Sequence, residues 1–172
     1  MSPARRLALA AGALLVAAAA MAQDLPPPTA ATASAFIDIV PTEGRVPVRL
    51  AVAHVVRIGR VEGHTVIDTT AWVQQRTVEP VESVARRLTA AGQRLIALTD
   101  LNGARIYLAT NRVVLVRDSQ ERHAAGARAA IVMVGLRFNT DIAVRESPDE
   151  VMAALRQAAG PLEIPAAGQP AR

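Results

Sequence analysis

Apolar residues along this chain come in short alternating runs closed by turn residues, and the runs occur twice in the same order. The segment FIDIVPTEGRVPVRLAVAHVVRI, Phe36 to Ile58, lies over LIALTDLNGARIYLATNRVVLV, Leu95 to Val116. EPVESVARRL from Glu79 lies over ESPDEVMAAL from Glu146. In the first segment the pattern predicts strands over 36–40, 46–50, 54–58, 64–70 and 73–78, because these runs suit a half-buried strand and are too short for a helix. Pro80 then opens a helix that carries Val81, Val84, Ala85 and Leu88 on one face. In the second segment strands are expected over 95–99, 105–108, 113–117, 130–136 and 140–144. Ser147 follows as a helix cap, with Pro148 at the first helical position, Asp149 and Glu150 in the first turn, and Val151, Leu155 and Ala158 on the inner face.

The turns fit the same scheme. Thr42-Glu43-Gly44-Arg45 and Leu101-Asn102-Gly103-Ala104 each join the first two strands of a segment, and Asn-Gly accepts the positive φ angles of a tight hairpin. The predicted fold class is α+β: two tandem β-meander-plus-helix repeats, each with about five short antiparallel strands and one C-terminal helix. Repeat 1 spans 36–91 and repeat 2 spans 95–159. A unit of about 60 residues buries too little surface to be secure alone, so the two are expected to pack on each other. Repeat 2 also holds an insertion, the polar stretch 118–128 with Gly126, which reads as a hairpin loop or an extended arm.

The ends have a different character. Arg5 and Arg6, the apolar run Leu7 to Ala20 and Ala20-Met21-Ala22 have the order of a cleavable export signal over 1–22. The apolar run is shorter than the ~20 residues that cross a bilayer, so no membrane span is expected after cleavage. Residues 23–35, with three consecutive prolines, read as a Pro/Ala-rich disordered spacer, and 160–172 as a flexible tail. The expected location is periplasmic or secreted. The chain contains no cysteine, which excludes lipid anchoring through a thiol, disulfides and thiol redox chemistry.

Charge changes the picture less than a sequence pI near 11.1 suggests. Every basic residue is Arg, and loss of Arg5 and Arg6 with the signal lowers the formal net charge from +4 to +2. With aromatics at 2%, there is neither a clustered basic face nor a set of stacking residues, so no nucleic-acid partner is expected. Trp72 and Phe138 stand just before the last strand of each repeat and are expected to anchor the two cores; exposed, they would mark a peptide or glycan platform.

Candidate chemistry is sparse. His64 and Asp68 lie four apart on one strand and share a face, and His54 on a neighbouring strand could join them as a metal site or hydrolytic base. The plainer reading is two strand-surface histidines beside an acid, since no HExxH accompanies them and the second repeat has no matching triplet. His123 lies in the polar insertion. Ser83 and Ser147 sit near helix starts outside any G-x-S-x-G elbow, and Glu79 with Glu82 and Asp149 with Glu150 suit helix first turns rather than glycoside chemistry. No glycine-rich phosphate loop is present. No enzyme activity and no cofactor are expected.

LTDLNG at Leu98 to Gly103, the LATNRVVLV that follows, IVMV at Ile131 to Val134 and VRESPDEVMAAL at Val144 to Leu155 resemble, in order and spacing, the FlbD/SwrD family of flagellar and swarming motility proteins. The resemblance covers about 95–155. This chain departs from the family in its export signal, its doubled pattern and the 118–128 insertion. The resemblance implies an accessory role near an envelope machine rather than a reaction. Asn102, Gly103, Glu146 and Glu150 match the motif, and a turn and a helix start account for them.

Taken together, these features predict an exported, non-enzymatic interaction or accessory module of the bacterial cell envelope, motility-related if the resemblance guides. Its partner would be an envelope or motility-apparatus protein, engaged by an exposed sheet edge or by the insertion through Arg117, Arg122, His123 and Arg128. The alternatives are a small metal-dependent or His-based hydrolase using His54, His64 and Asp68, and a small-ligand binder using the groove between repeats.

Overall fold

The computed structural model describes residues 35–136 and 141–160. The export signal, almost all of the spacer, the tail beyond Gly160 and Phe138 lie outside the described residues. The described chain is mixed α+β, with ten strands in three antiparallel sheets and two α-helices. Its first half carries β1 (Phe36–Ile39), β2 (Val48–Ala51), a single 3₁₀ turn (Val52–His54), β3 (Val55–Val61), β4 (His64–Thr69), β5 (Gln74–Thr77) and α1 (Val81–Ala90). The second half carries β6 (Leu95–Thr99), β7 (Arg105–Ala109), a 3₁₀ turn (Thr110–Arg112), β8 (Val113–Asp118), β9 (Ala129–Met133), β10 (Asp141–Val144) and α2 (Pro148–Ala159).

Pairing divides the strands differently from two five-stranded meanders. β1 and β2 form a separate hairpin, β8, β9 and β10 form a three-stranded sheet, and the order of the largest sheet is β5-β4-β3-β7-β6. The second half's first hairpin therefore extends the first half's three-stranded meander. At that junction Arg57 faces Leu108 and Ile58 faces Tyr107. Local alternation encodes which face of a strand is buried and leaves its neighbour open, so this exchange is invisible to periodicity.

Some details recur between the halves. The register shifts between Val55 and Arg57 in β3, and again between Val113 and Leu115 in β8, immediately after each 3₁₀ turn. The last carbonyl of each turn is held alike: Thr70 N–H donates to His54 C=O at 2.9 Å, and Val134 N–H donates to Arg112 C=O at 3.0 Å.

The interior is aliphatic. Ile37, Ile39, Val55, Ile58, Ile67 and the Val81, Val84, Ala85, Leu88 face of α1 form one cluster. Ile96, Leu98, Ile106, Leu108, Ile131, Met133, Ile142, Val144 and Val151 of α2 form the other. Val56 of β3 is fully buried in that second cluster, crossing from one half to the other. Gly135, at φ +97°, makes room for it: a Cβ there would come within 3.0 Å of Val56 Cγ2.

The helix starts differ. α1 follows Pro80 with no side-chain cap and is held mainly by its buried face. α2 has a full capping box, with Glu150 N–H donating to Ser147 Oγ at 3.3 Å and Ser147 N–H donating to Glu150 Oε2 at 2.7 Å. Replacing Ser147 by Ala is expected to lower stability by about 1 kcal/mol in urea unfolding; an unchanged midpoint would mean that the cap contributes nothing.

Candidate functional site

The 118–128 insertion is a folded hairpin loop rather than an extended arm. β8 runs through Asp118, β9 begins at Ala129, and Ser119 N–H donates to Arg128 C=O at 3.0 Å across the base. Its basic residues are already engaged. Arg117 Nη2 donates to Asp141 Oδ2 at 2.6 Å, Arg122 reaches the same oxygen, and His123 Nε2 lies 3.6 Å from it. Gln120 N–H donates to His123 Nδ1 at 2.8 Å, which leaves the ring proton on Nε2, facing Asp141. Arg128 Nη1 donates to Glu150 Oε2 at 3.2 Å. All four proposed contact residues thus tie the loop to the start of β10 and the first turn of α2, and the charges of the three arginines are largely spent inside the chain.

Burial raises the pKa of Asp141, but the Arg117 hydrogen bond and the Arg117 and Arg122 charges outweigh it, with the His123 ring adding to them, so the carboxyl lies below its ordinary value of 3.8. A carboxylate with a depressed folded pKa adds stability above its unfolded pKa and loses it as pH falls through the folded value. The stability gap between the wild type and Asp141→Asn is therefore expected to be present at about pH 5 and above and to close as pH falls below about 4. A gap that does not change with pH would remove Asp141 as the loop's electrostatic anchor.

The hydrolase candidates are not assembled. His54 lies in the 3₁₀ turn instead of on a strand, and its Nδ1 is 2.7 Å from Thr70 Oγ1. His64 opens β4, and four extended residues set it about 13 Å along the strand from Asp68. Asp68 has other partners: Arg57 Nε donates to Oδ2 at 2.7 Å and Gln74 Nε2 donates to Oδ1 at 2.7 Å. Both carboxylate oxygens are occupied, and the aspartate side chain is 8% exposed. Among the described residues no group of three His, Asp or Glu is placed to hold a metal ion.

The motif residues of 98–103 and 144–150 meet as a clasp. Asp100 Oδ1 accepts from Ala104 N–H at 2.8 Å, and Gly103 takes φ +83°. Arg145 Nη2 donates to Leu101 C=O at 2.7 Å, and both Glu146 oxygens accept from Thr99 N–H, at 2.9 and 3.1 Å. These residues fasten the β6–β7 turn to the start of α2.

Trp72 does not anchor a core. It sits at φ +63° in the β4–β5 turn with 62% of its surface exposed, and Val73 beside it is also exposed. Aliphatic side chains fill the interior in its place.

β8, which the sequence marks as a strand over 113–117, has an unusual pattern. Val113 to Val116 is apolar at every position, whereas an antiparallel strand with one buried face alternates. β9 pairs with one edge of β8, and among the described residues no strand pairs with the other. Val114 is 62% exposed and Leu115 42%. Its counterpart β3, set after the other 3₁₀ turn, is paired on both edges, by β4 and β7.

A shallow concavity of about 700 Å³ lies between α1 and β7, lined by Glu82, Ala85, Arg86, Thr89, Ala90 and Tyr107. Five of these six come from one helix face, and among the described residues no buried polar group converges there to orient a ligand. Among the described residues no helix is long and apolar enough to cross a membrane. Compared with family models, curated proteins and solved structures, the chain matches none.

Proposed function

We propose that this chain is an exported, non-enzymatic interaction module of the bacterial cell envelope, made of two tandem copies of one hairpin, meander and helix unit, which engages its partner by taking a strand onto the β8 edge. The observation that carries this reading is the open apolar edge itself. N–H and C=O groups that no strand among the described residues takes up, beside exposed Val114 and Leu115, form a template for another strand. Soluble proteins normally blunt such an edge with charge or proline, and Val113 to Val116 has neither.

The tandem reading is supported by the doubled element order and by bulges at matching places after matching 3₁₀ turns. The export reading is supported by 1–22, and a motility-related role by the resemblance of 95–155 to FlbD/SwrD proteins. The 118–128 loop is a weaker candidate for contact, since its arginines are bound to Asp141 and Glu150.

Two measurements test the reading. Expressed from Met1 in a bacterial host, the protein is expected in the periplasmic fraction with Gln23 at its N-terminus; retention in the cytoplasm with residues 1–22 intact would contradict export. Captured from envelope extracts, the wild type is expected to carry an associated protein that Leu115→Lys loses and a 119–127 deletion keeps. The reverse pattern would move the contact to the loop.

A further inference from the structure

We infer that the β4–β5 turn and the residues that follow β9 form a membrane-surface contact, with Trp72, Val73 and Val134 entering the interface of an anionic phospholipid bilayer. The inference does not depend on the strand-docking reading above, because none of these three side chains belongs to β8.

A closed ring of contacts brings the two places to one end of the fold. Thr70 N–H donates to His54 C=O at 2.9 Å, and His54 Nδ1 lies 2.7 Å from Thr70 Oγ1. Arg112 Nη2 donates to Ala53 C=O at 2.7 Å, which joins the two 3₁₀ turns. Val134 N–H donates to Arg112 C=O at 3.0 Å. Gly135 closes the ring, since a Cβ there would come within 3.2 Å of Thr70 Cγ2.

The side chains this end gives to solvent are apolar. Trp72 is 62% exposed, Val73 59% and Val134 54%. Trp72 also holds a left-handed backbone, φ +63°, which a bulky residue adopts at a cost. The turn fixes it there: Thr69 N–H and Oγ1 both donate to Val73 C=O, at 3.1 and 2.8 Å, and Trp72 N–H donates to Thr69 C=O at 2.9 Å. Those bonds take up polar backbone groups near the tip, which lowers the cost of carrying it into a poorly hydrated interface.

Charge selects the occupant. Residues 52–54, 69–73, 110–112 and 134–136 contain no Asp or Glu, and their ionisable side chains are His54 and Arg112. Asp68, just before the turn, is held by Arg57 and Gln74. An acid-free surface with a guanidinium among apolar tips suits lipid phosphates, and an indole settles at headgroup depth with its N–H toward water. A soluble glycan would also stack on Trp72, but it would make no use of Val73 and Val134.

Trp72 is the only tryptophan, so its fluorescence reads this site alone. Residues 23–172, which keep every described element and omit the apolar run of 7–20, are mixed with vesicles of phosphatidylglycerol and phosphatidylethanolamine. The emission maximum is expected to move to shorter wavelength, and the protein to sediment with the vesicles. Val73→Asp and Val134→Asp are expected to lose both signals with unchanged urea unfolding curves, whereas Leu115→Lys keeps them. Trp72→Gly relieves the left-handed backbone, so it is expected to lose sedimentation with vesicles while unfolding at no lower urea concentration.

Unshifted emission with the protein left in the supernatant overturns the contact. So does a shift that both aspartate variants retain, or equal binding to vesicles of phosphatidylcholine alone. A shift given by soluble glycan fragments and not by vesicles also overturns it, and assigns Trp72 to sugar recognition instead.

Discussion

Asp68→Ala is expected to destabilise the fold by about 3 kcal/mol, because it leaves the Arg57 guanidinium without its counter-ion beside a sheet junction. The figure lies at the low end for a broken buried pair, since Arg57 keeps 31% of its side chain exposed to water while Asp68 has 8%. Gln74 Nε2 also loses its acceptor. Asp68→Asn is expected to cost less, since an amide oxygen still accepts a hydrogen bond. Replacing both partners with apolar residues, Arg57→Met with Asp68→Leu, is expected to recover part of the loss, as no buried charge is then stranded. Urea unfolding of the two single variants and the double variant measures the coupling. A loss below about 1 kcal/mol for Asp68→Ala would return the residue to the list of free surface acids, where a catalytic role is still open.

Leu108→Ala is expected to cost about 3–4 kcal/mol, since Leu108 is fully buried and pairs across β7 with both Ile96 of β6 and Arg57 of β3. A cavity there opens in the second cluster at the seam where the two halves share a sheet. Leu115→Ala, in the same half, is expected to cost under about 0.5 kcal/mol in the monomer, because 42% of that leucine faces water. The contrast separates an apolar residue that holds the fold from one that is left for a partner. Equal losses would place Leu115 inside the fold and remove the reason for calling β8 open.

Much of the fold was legible from the sequence because it is set locally. The face of α1 at Val81, Val84, Ala85 and Leu88, the Ser147 cap, Pro148 and the Asn102-Gly103 turn each announce themselves within a few residues. Most strands fell near their observed bounds. The β3–β4 connection is tighter than expected, a two-residue turn at Glu62 and Gly63, with φ +51° and +81°.

The rest depends on residues far apart in sequence. The β3–β7 pairing joins residues from different halves, and no local signal selects one edge over another. Arg117, Arg122 and His123 converge on Asp141, which lies beyond β9 in the chain. That convergence turns an apparent docking arm into an anchored loop. His54 sits in an apolar run that suits a strand, and the 3₁₀ turn that holds it has no sequence mark of its own. The size of Trp72 suits a core, yet aliphatic side chains and Met133 fill both clusters without it.

β8 is the instructive case. Its unbroken apolar run is plain in the sequence, but only the sheet order reveals that one of its edges has no strand beside it among the described residues. Amide hydrogen exchange, measured on the chain alone and on the chain captured with its partner from envelope extracts, tests that edge most directly. If β8 takes a strand from that partner, the peptide covering Val113 to Asp118 is more protected in the captured complex, while the 119–128 loop stays fast. Exchange in β8 that is the same alone and in the complex would contradict the account.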